Sequence, residues 1–504
     1  MWALTNQPKP FYLVFLIEIW ERLGYYGVQA LLVLFMVEQL GFTDTHADML
    51  FAAFSALVFL LPCVGGYVGD RLLGTKRTIL FGAFILALGY FLLSLDAFHS
   101  TDMLILPLAV IAVGNALFKA NPSSLLSKVY RGTSYNLDSG FTLYYMAINI
   151  GSFISMNLTP ILNKYFGWYV AFSVCFIGLI AAILNFLFMR RIVKDYGSEP
   201  DFKPMRIDYF FYIAVFATAL IGVCFFLLRY YQVVSWLLLF GTLVLLFIYL
   251  TLIKKAEPQE RNGMFLFIIL FAQGIIFFVL YFQMPTSLTL FALRNVHHSI
   301  LGIPIQPGQF QMLNPFWVMA MSPVLAGIYQ RLSNHRRDIS MPSKFSLGTL
   351  LAGLAFLVLP FGSLFAHNGE INGLWLVVSY WLQSTGELLV SALGLSLAAR
   401  YVPQRFMGFT MGLWFLCTSI ASIIAGKVAS FASIPANISQ DPLMSLPIYN
   451  HLFLRIGVIT CAIAVIMFAL VPALKKLAGD SKSGQPTIAD EIMAEDLINE
   501  HPLP

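Results

Sequence analysis
The sequence predicts an all-α polytopic membrane protein, and three observations carry that prediction. Hydrophobic residues make up 59% of the 504-residue chain and charged residues only 11%, whereas an ordinary soluble domain is about one quarter charged. Apolar runs near the length that crosses the hydrocarbon core as a helix, about 20 residues, recur along the whole chain. Lysine and arginine collect in alternate loops between these runs.

Taken in order, spans are expected near 11–36, 50–69, 78–95, 103–122, 140–160, 168–189, 208–228, 232–253, 264–291, 312–330, 345–362, 373–399, 407–430 and 451–473, which makes 14 transmembrane helices. Pro62, Pro122, Pro285, Pro315 and Pro323 fall inside them and predict kinks that neighbouring helices support. Apart from Arg22 and Lys119, only Lys164, Arg229, Arg294, Lys427 and Arg455 of the 30 Lys and Arg lie toward the end opposite the N-terminus. Positive loops face the cytoplasm, so both termini are expected there, in a multi-pass protein of an inner, plasma membrane. The start of the chain reads as a polar lead into the first span, without a cleavable signal.

The loops 190–206 and 254–262 bracket two helices that hold no intramembrane charge. The organisation read is a six-helix N-terminal bundle (1–190), a linker with two inserted helices (191–262), a six-helix C-terminal bundle (263–476) and a flexible polar tail (477–504). GGYVGDRLLGTKRT (65–78) and AGIYQRLSNHRR (326–337) echo one another weakly at matching places. Two six-helix halves in parallel repeat place a transported solute between them, near the midplane.

Five ionisable residues lie well inside the expected spans: Glu18, Glu21, Arg22, Lys119 and Glu387. Each costs roughly 2.5–3.5 kcal/mol at the bilayer centre on insertion scales, so each must face a cavity or a partner. Steps of three and four put Glu18, Glu21, Arg22, Tyr25 and Gln29 on one helical face. Lys119 sits in GNALFKANPSS (114–124) and Glu387 in QSTGELLVSALGLS (383–396). The partners open to Glu387 are Lys119, Arg22 or a substrate ammonium. A carboxylate that exchanges partners exchanges proton affinity, as proton coupling requires.

Other chemistries find little support. The net charge of +5 is scattered through short loops, which is no nucleic-acid signature. The five cysteines stand in apolar runs without metal-ligand spacing. GDRLLGTK (69–76) lacks the Gly-Lys-Ser/Thr order of a phosphate-binding loop. No nucleophile–base pair points to an enzyme.

EIWERLGYYG (18–27) is similar to the E-x-x-E-R-F-x-Y-Y-G signature of the proton-dependent oligopeptide transporters, with Leu23 where Phe is usual. GNALFKANPSSLLSKVY (114–130), FTLYYMAINIGSFIS (141–155), LNPFWVMAMSP (313–323), GELLVSALGLSL (386–397) and MGLWFLCTS (411–419) also resemble that family's segments, in order, over residues 11–473. The resemblance implies the major facilitator fold, two six-helix bundles plus a two-helix insertion. It implies a bacterial symporter that imports di- and tripeptides by alternating access, driven by the proton gradient and needing no cofactor. Arg22 and Lys119 would hold the peptide carboxylate and Glu387 its amino terminus. Asn149 and Asn314 would bond the peptide backbone, while Tyr25, Tyr26 and Trp414 would line side-chain pockets. Glu18, Glu21, Arg22 and Glu387 would couple the proton, and Lys119 with Glu387 would form a gate. Asp70, Arg71, Lys76 and Arg77 resemble the superfamily loop that latches cytoplasmic helix ends. Two positions depart from the pattern: Phe282 stands where many members have an acid, and Phe59 where many have Tyr. The other reading is a carrier of another small anion or zwitterion, such as nitrate, an amino acid or a drug, on the same fold.

Overall fold
The computed structural model describes residues 7–95, 101–131, 135, 137–205, 207–335, 339–391, 394–435, 438–439 and 441–478; all but the first two residues of the expected tail lie outside them. The first bundle contains α1 (Lys9–Leu34), α2 (Asp44–Leu60) with its continuation α3 (Pro62–Tyr67), α4 (Thr75–Leu93), α5 (Thr101–Tyr130), α6 (Leu137–Phe166) and α7 (Trp168–Met189). The inserted pair is α8 (Ile207–Arg229) and α9 (Tyr231–Lys255). The second bundle contains α10 (Pro258–Tyr281) with α11 (Ser287–Asn295), α12 (Leu313–Asn334), α13 (Met341–Ser363), α14 (Leu374–Val390) with α15 (Gly394–Tyr401), α16 (Gln404–Ala429) and α17 (Pro442–Leu477). A two-stranded antiparallel hairpin, β1 (Ser299–Ile300) and β2 (Ile303–Pro304), tops the second bundle. The architecture is the major facilitator fold, and helices among the described residues occupy each of the 14 places where a span is expected.

Among the described residues, 11 helical segments are long and apolar enough to cross a membrane. The three expected spans beyond these are α1, α6 and α14. They are helical as well, and they hold Glu18, Glu21 and Arg22, then Tyr144 and Asn149, then Glu387.

The structure corrects several boundaries. The span expected at 50–69 begins earlier, at Asp44, because Thr43 caps it by accepting from the His46 amide (3.3 Å). That extension brings Asp44 and Asp48 into the interior, so the buried charges exceed the five expected. The span expected at 264–291 is broken at 282–286, next to Pro285, which has no amide to continue the ladder. Gln283 fills the gap: its Nε2 donates to the Val279 and Ala425 carbonyls, and its Oε1 accepts from Ser287 Oγ. Of the span expected at 373–399, the described helical residues are α14, which is followed by a turn at Ser391, and α15 from Gly394. Pro122 and Pro323 stay inside continuous helices, and Pro62 starts α3.

The helix α4 follows Gly74, whose φ of 102° takes the chain through a region that side chains avoid. No neighbour in sequence caps α4. The linker does so from 120 residues away. Ser198 Oγ accepts from the Thr75 amide (2.9 Å) and Asp201 Oδ1 from the Lys76 amide (3.1 Å). Ser198 Oγ also donates to the Gly69 carbonyl (2.7 Å). Arg77 then donates to the Pro200 and Lys203 carbonyls, and Lys76 Nζ to those of Val193 and Lys194. The inserted pair lies against both bundles, α8 on α5 and α9 on α16. The outer faces of these two helices expose Phe211, Tyr212, Trp236 and Phe240, as a lipid-facing surface requires.

The two bundles are joined at the end away from the basic loops. Arg294 donates both Nη groups to Asp44 (2.6 and 2.8 Å), and Asp44 also accepts from the Ile434 amide (3.0 Å). Gln309 Nε2 donates to Asn157 (2.7 Å), and Ser422 Oγ to the Ala52 carbonyl (3.2 Å). All of these bonds between the bundles lie in this half.

Replacing a capping carboxylate by Ala costs about 1 kcal/mol. Asp201→Ala should therefore lower the thermal midpoint of the detergent-purified protein and Asp201→Asn should lower it less, as read by unfolding monitored with circular dichroism.

Candidate functional site
The face predicted for α1 is the buried one. Glu18 and Glu21 are 0% exposed and Arg22 is 4% exposed. Close approach of α6 makes this possible at Gly151, where a Cβ would stand 2.6 Å from the Ile19 carbonyl and 2.9 Å from Arg22 Cβ. Arg22 Nε donates to Glu18 Oε1 (2.7 Å), and Tyr144 of α6 donates its hydroxyl to Glu18 Oε2 (2.6 Å). Both oxygens of Glu18 are thus satisfied. Glu21 Oε2 lies 2.9 Å from the same Arg22 nitrogen, but that N–H is aimed at Glu18. Neither oxygen of Glu21 accepts a hydrogen bond from a described residue. A buried carboxylate without a donor is costly while charged, and taking up a proton removes the charge.

Lys119 extends from α5 toward this cluster and lies within electrostatic reach of Arg22, Glu21 and Glu18. Its Nζ stands 4.3 Å from the centre of the Phe59 ring and 6.0 Å from that of Tyr25, distances at which the ring face attracts a cation. Tyr25 and Tyr26 meet edge to face at 5.1 Å. Gln29, one turn further along, is 3.5 Å from Gln311 of the second bundle.

Across the molecule, Glu387 on α14 accepts from Asn314 Nδ2 of α12 (2.7 Å), and the same nitrogen lies 3.1 Å from Ser384 Oγ. Tyr26 is within electrostatic reach of both Arg22 and Glu387. Asn149 is buried and donates to the Tyr145 carbonyl of its own helix. Trp414 is buried within the second bundle, in edge contact with Phe278 and Phe345. It is seated on Gly394, where a Cβ would fall 1.9 Å from the indole.

The Lys119–Glu387 pair expected as a gate is not formed in this structure. Lys119 rests on Phe59 and Glu387 is held by Asn314, since α5 and α14 belong to bundles that meet at the opposite end. What bridges the bundles near Lys119 is the contact between the two departures from the family pattern. Phe59 and Phe282 meet edge to face with ring centres 5.6 Å apart. Tyr281, next in chain and in contact with Phe282, lies within electrostatic reach of Glu387.

The loop residues divide. Asp70 accepts from Lys128 Nζ (2.8 Å), Lys76 and Arg77 grip the linker, and Arg71 donates to no described residue. Sequence reasoning missed Tyr144, although its neighbourhood LYYMAIN places hydroxyls and Asn149 on a span. It also missed the Asp44–Arg294 ion pair, for which only the two charges at opposite span ends were visible. Among the described residues no group of three His, Cys, Asp or Glu could hold a metal ion.

Two helical bundles that bury ionisable side chains inside membrane-spanning helices define a protein of the major facilitator type. The chain belongs to the POT family, whose model matches residues 76–444. It is 46% identical over 483 residues to dipeptide and tripeptide permease B of Shigella dysenteriae serotype 1 (strain Sd197), covering 95% of this chain and 98% of that one. It is 47% identical over 478 residues to dipeptide and tripeptide permease A of Cronobacter turicensis, covering 95% of each. Among solved structures, a bacterial homologue of the human drug peptide transporters PepT1 and PepT2 superposes with a TM-score of 0.83 at 40% identity, over 93% of this chain and 98% of that one.

A hydrogen bond to a charged group contributes about 1.5–3 kcal/mol. Tyr144→Phe, which strips one donor from the buried Glu18, should destabilise the purified protein by an amount of that order. Equilibrium denaturation in detergent measures it.

Proposed function
We propose that this integral membrane protein is a proton-coupled symporter that imports di- and tripeptides by alternating access of residues 1–190 and 263–476 about the linker 191–262. The single observation that supports this most is the division of charge: Arg22 and Lys119 on the first bundle, Glu387 on the second, with Tyr26 in reach of both ends. A peptide is a zwitterion of matching polarity. In this reading Arg22 and Lys119 hold its carboxylate. Glu18 occupies Arg22 Nε, which leaves the two Nη groups, unpartnered among the described residues, to meet a carboxylate side by side. Glu387 receives the ammonium, Asn149 and Asn314 bond the peptide backbone, and Tyr25, Tyr26 and Trp414 wall the side-chain pockets.

With both termini in the cytoplasm of a bacterial cell, the joined end faces outward and the structure is the inward-facing state. The Asp44–Arg294 pair is then the closed outer gate, and the Lys119–Glu387 gate is the inner one, open here. A proton from outside neutralises Glu21, the carboxyl without a donor, which releases its hold on the cations and readies them for the peptide. Glu387 exchanges Asn314 and the peptide ammonium for Lys119 as the inner gate closes, and so carries the second step of coupling. Asp70 with Lys128 and the Lys76–Arg77 grip on the linker keep the cytoplasmic helix ends in register during rocking. Arg71 belongs to the same loop. The lipid bilayer and the proton gradient are the only other participants required.

Uptake of labelled dialanine into proteoliposomes, with the outside acidified, tests the proposal directly; no dialanine accumulation above a pH-balanced control overturns it. Glu21→Gln should lose uphill accumulation while keeping peptide exchange at equal pH, because binding groups remain and the proton acceptor is gone. Retained uphill accumulation would remove Glu21 from the coupling role. Asp44→Asn should weaken the outer latch and shift the population toward the outward-facing state, read as increased labelling of a cysteine introduced at Gln29.

A further inference from the structure
The linker and the cytoplasmic end of the first bundle enclose a cavity of about 280 Å³ that the transport cycle leaves unused. Three cations line it, Arg71, Arg77 and Lys203, and no carboxylate does. Arg77 spends two N–H groups on the Pro200 and Lys203 carbonyls, and three of its five donors remain. Lys203 is shared with Glu199 at the rim. Arg71 donates to no described residue and is exposed. Three cations therefore gather at one recess with one carboxylate, Glu199, at its rim, and Arg77 is held in place by the fold.

The rest of the lining is apolar: Leu72, Leu73, Met205 and Tyr209 with two prolines. Tyr209 lies in the first turn of α8, which is apolar enough to cross a membrane and only 22% buried in the molecule. Directly below the cavity, Ile207, Phe210, Phe211 and Tyr212 are exposed. The recess thus opens where a cationic rim gives way to a lipid-facing helix. A free anion would use only the cations, whereas a phospholipid would use both surfaces. Basic recesses at the cytoplasmic ends of membrane helices suit anionic head groups for this reason.

We propose that this cavity is a binding site for the phosphodiester head group of an anionic phospholipid, with acyl chains laid along α8. Such a lipid ties the loop 68–74, the start of α4 and the linker to the inserted pair, and so gives α8 its seat at the membrane surface.

The test is lipid retention by the purified full-length protein, measured by native mass spectrometry with phosphatidylglycerol, phosphatidylcholine and millimolar inorganic phosphate as probes. Phosphatidylglycerol should be retained in preference to phosphatidylcholine. Arg71→Gln, which removes no hydrogen bond among the described residues, should lower its retention roughly five-fold, the factor for about 1 kcal/mol per basic residue at an anionic surface. Lys203→Gln should act in the same direction, and Arg331→Gln, an exposed arginine at the same end, should not. Equal retention of the two lipids, or equal loss in Arg71→Gln and Arg331→Gln, overturns the proposal. Complete displacement of the lipid by inorganic phosphate overturns it too, because the site would then take the free anion. None of these readouts depends on transport.

Discussion

Burying a guanidinium beside two carboxylates on one turn of α1 is the constraint from which much of the first bundle follows. The desolvation of three charged groups costs several kcal/mol for each ion, and only close, specific partners offset it. Gly151 lets α6 approach until Tyr144 can reach Glu18. Arg22 is committed to Glu18 through Nε, so its remaining donors point elsewhere in a fixed direction. One carboxylate is satisfied and the other is not. That asymmetry is the observation on which the proposed proton-accepting role of Glu21 rests.

The second bundle solves a smaller problem with neutral groups. Glu387 is held by an amide donor, not by a cation, so its charge is oriented without being cancelled. Across the interior, Lys119 is likewise settled on ring faces and not on a carboxylate. Both groups therefore keep unspent Coulombic attraction for a solute or for one another. Groups saturated by permanent partners would fix the two bundles in one arrangement.

Much of this was legible in the sequence because membrane physics leaves few options. Apolar runs of spanning length, basic loops in alternation and a three- and four-residue spacing of charges on α1 each report a local property. The break at 282–286 was not legible, because a proline in an apolar run does not reveal whether neighbours will support a kink or a full interruption. Gln283, which stabilises the break, acts through Ala425, far away in sequence. The same holds for the cap that Ser198 and Asp201 place on α4, and for Asp44 with Arg294. Contacts of that range depend on which helices become neighbours, and periodicity carries no information on that. Tyr144 was hidden for a related reason, since a tyrosine in a span reads equally well as an interfacial anchor or as a hydroxyl donor.

The edge-to-face meeting of Phe59 with Phe282 carries a consequence for where acidity is felt. Rings of this kind neither gain nor lose protons, so the contact adds no titrating group of its own between the bundles. In the proposed cycle the response to acid then belongs to the carboxyls of α1 and α14 on either side of that seam, and the ring contact between them is a bearing with no charge of its own.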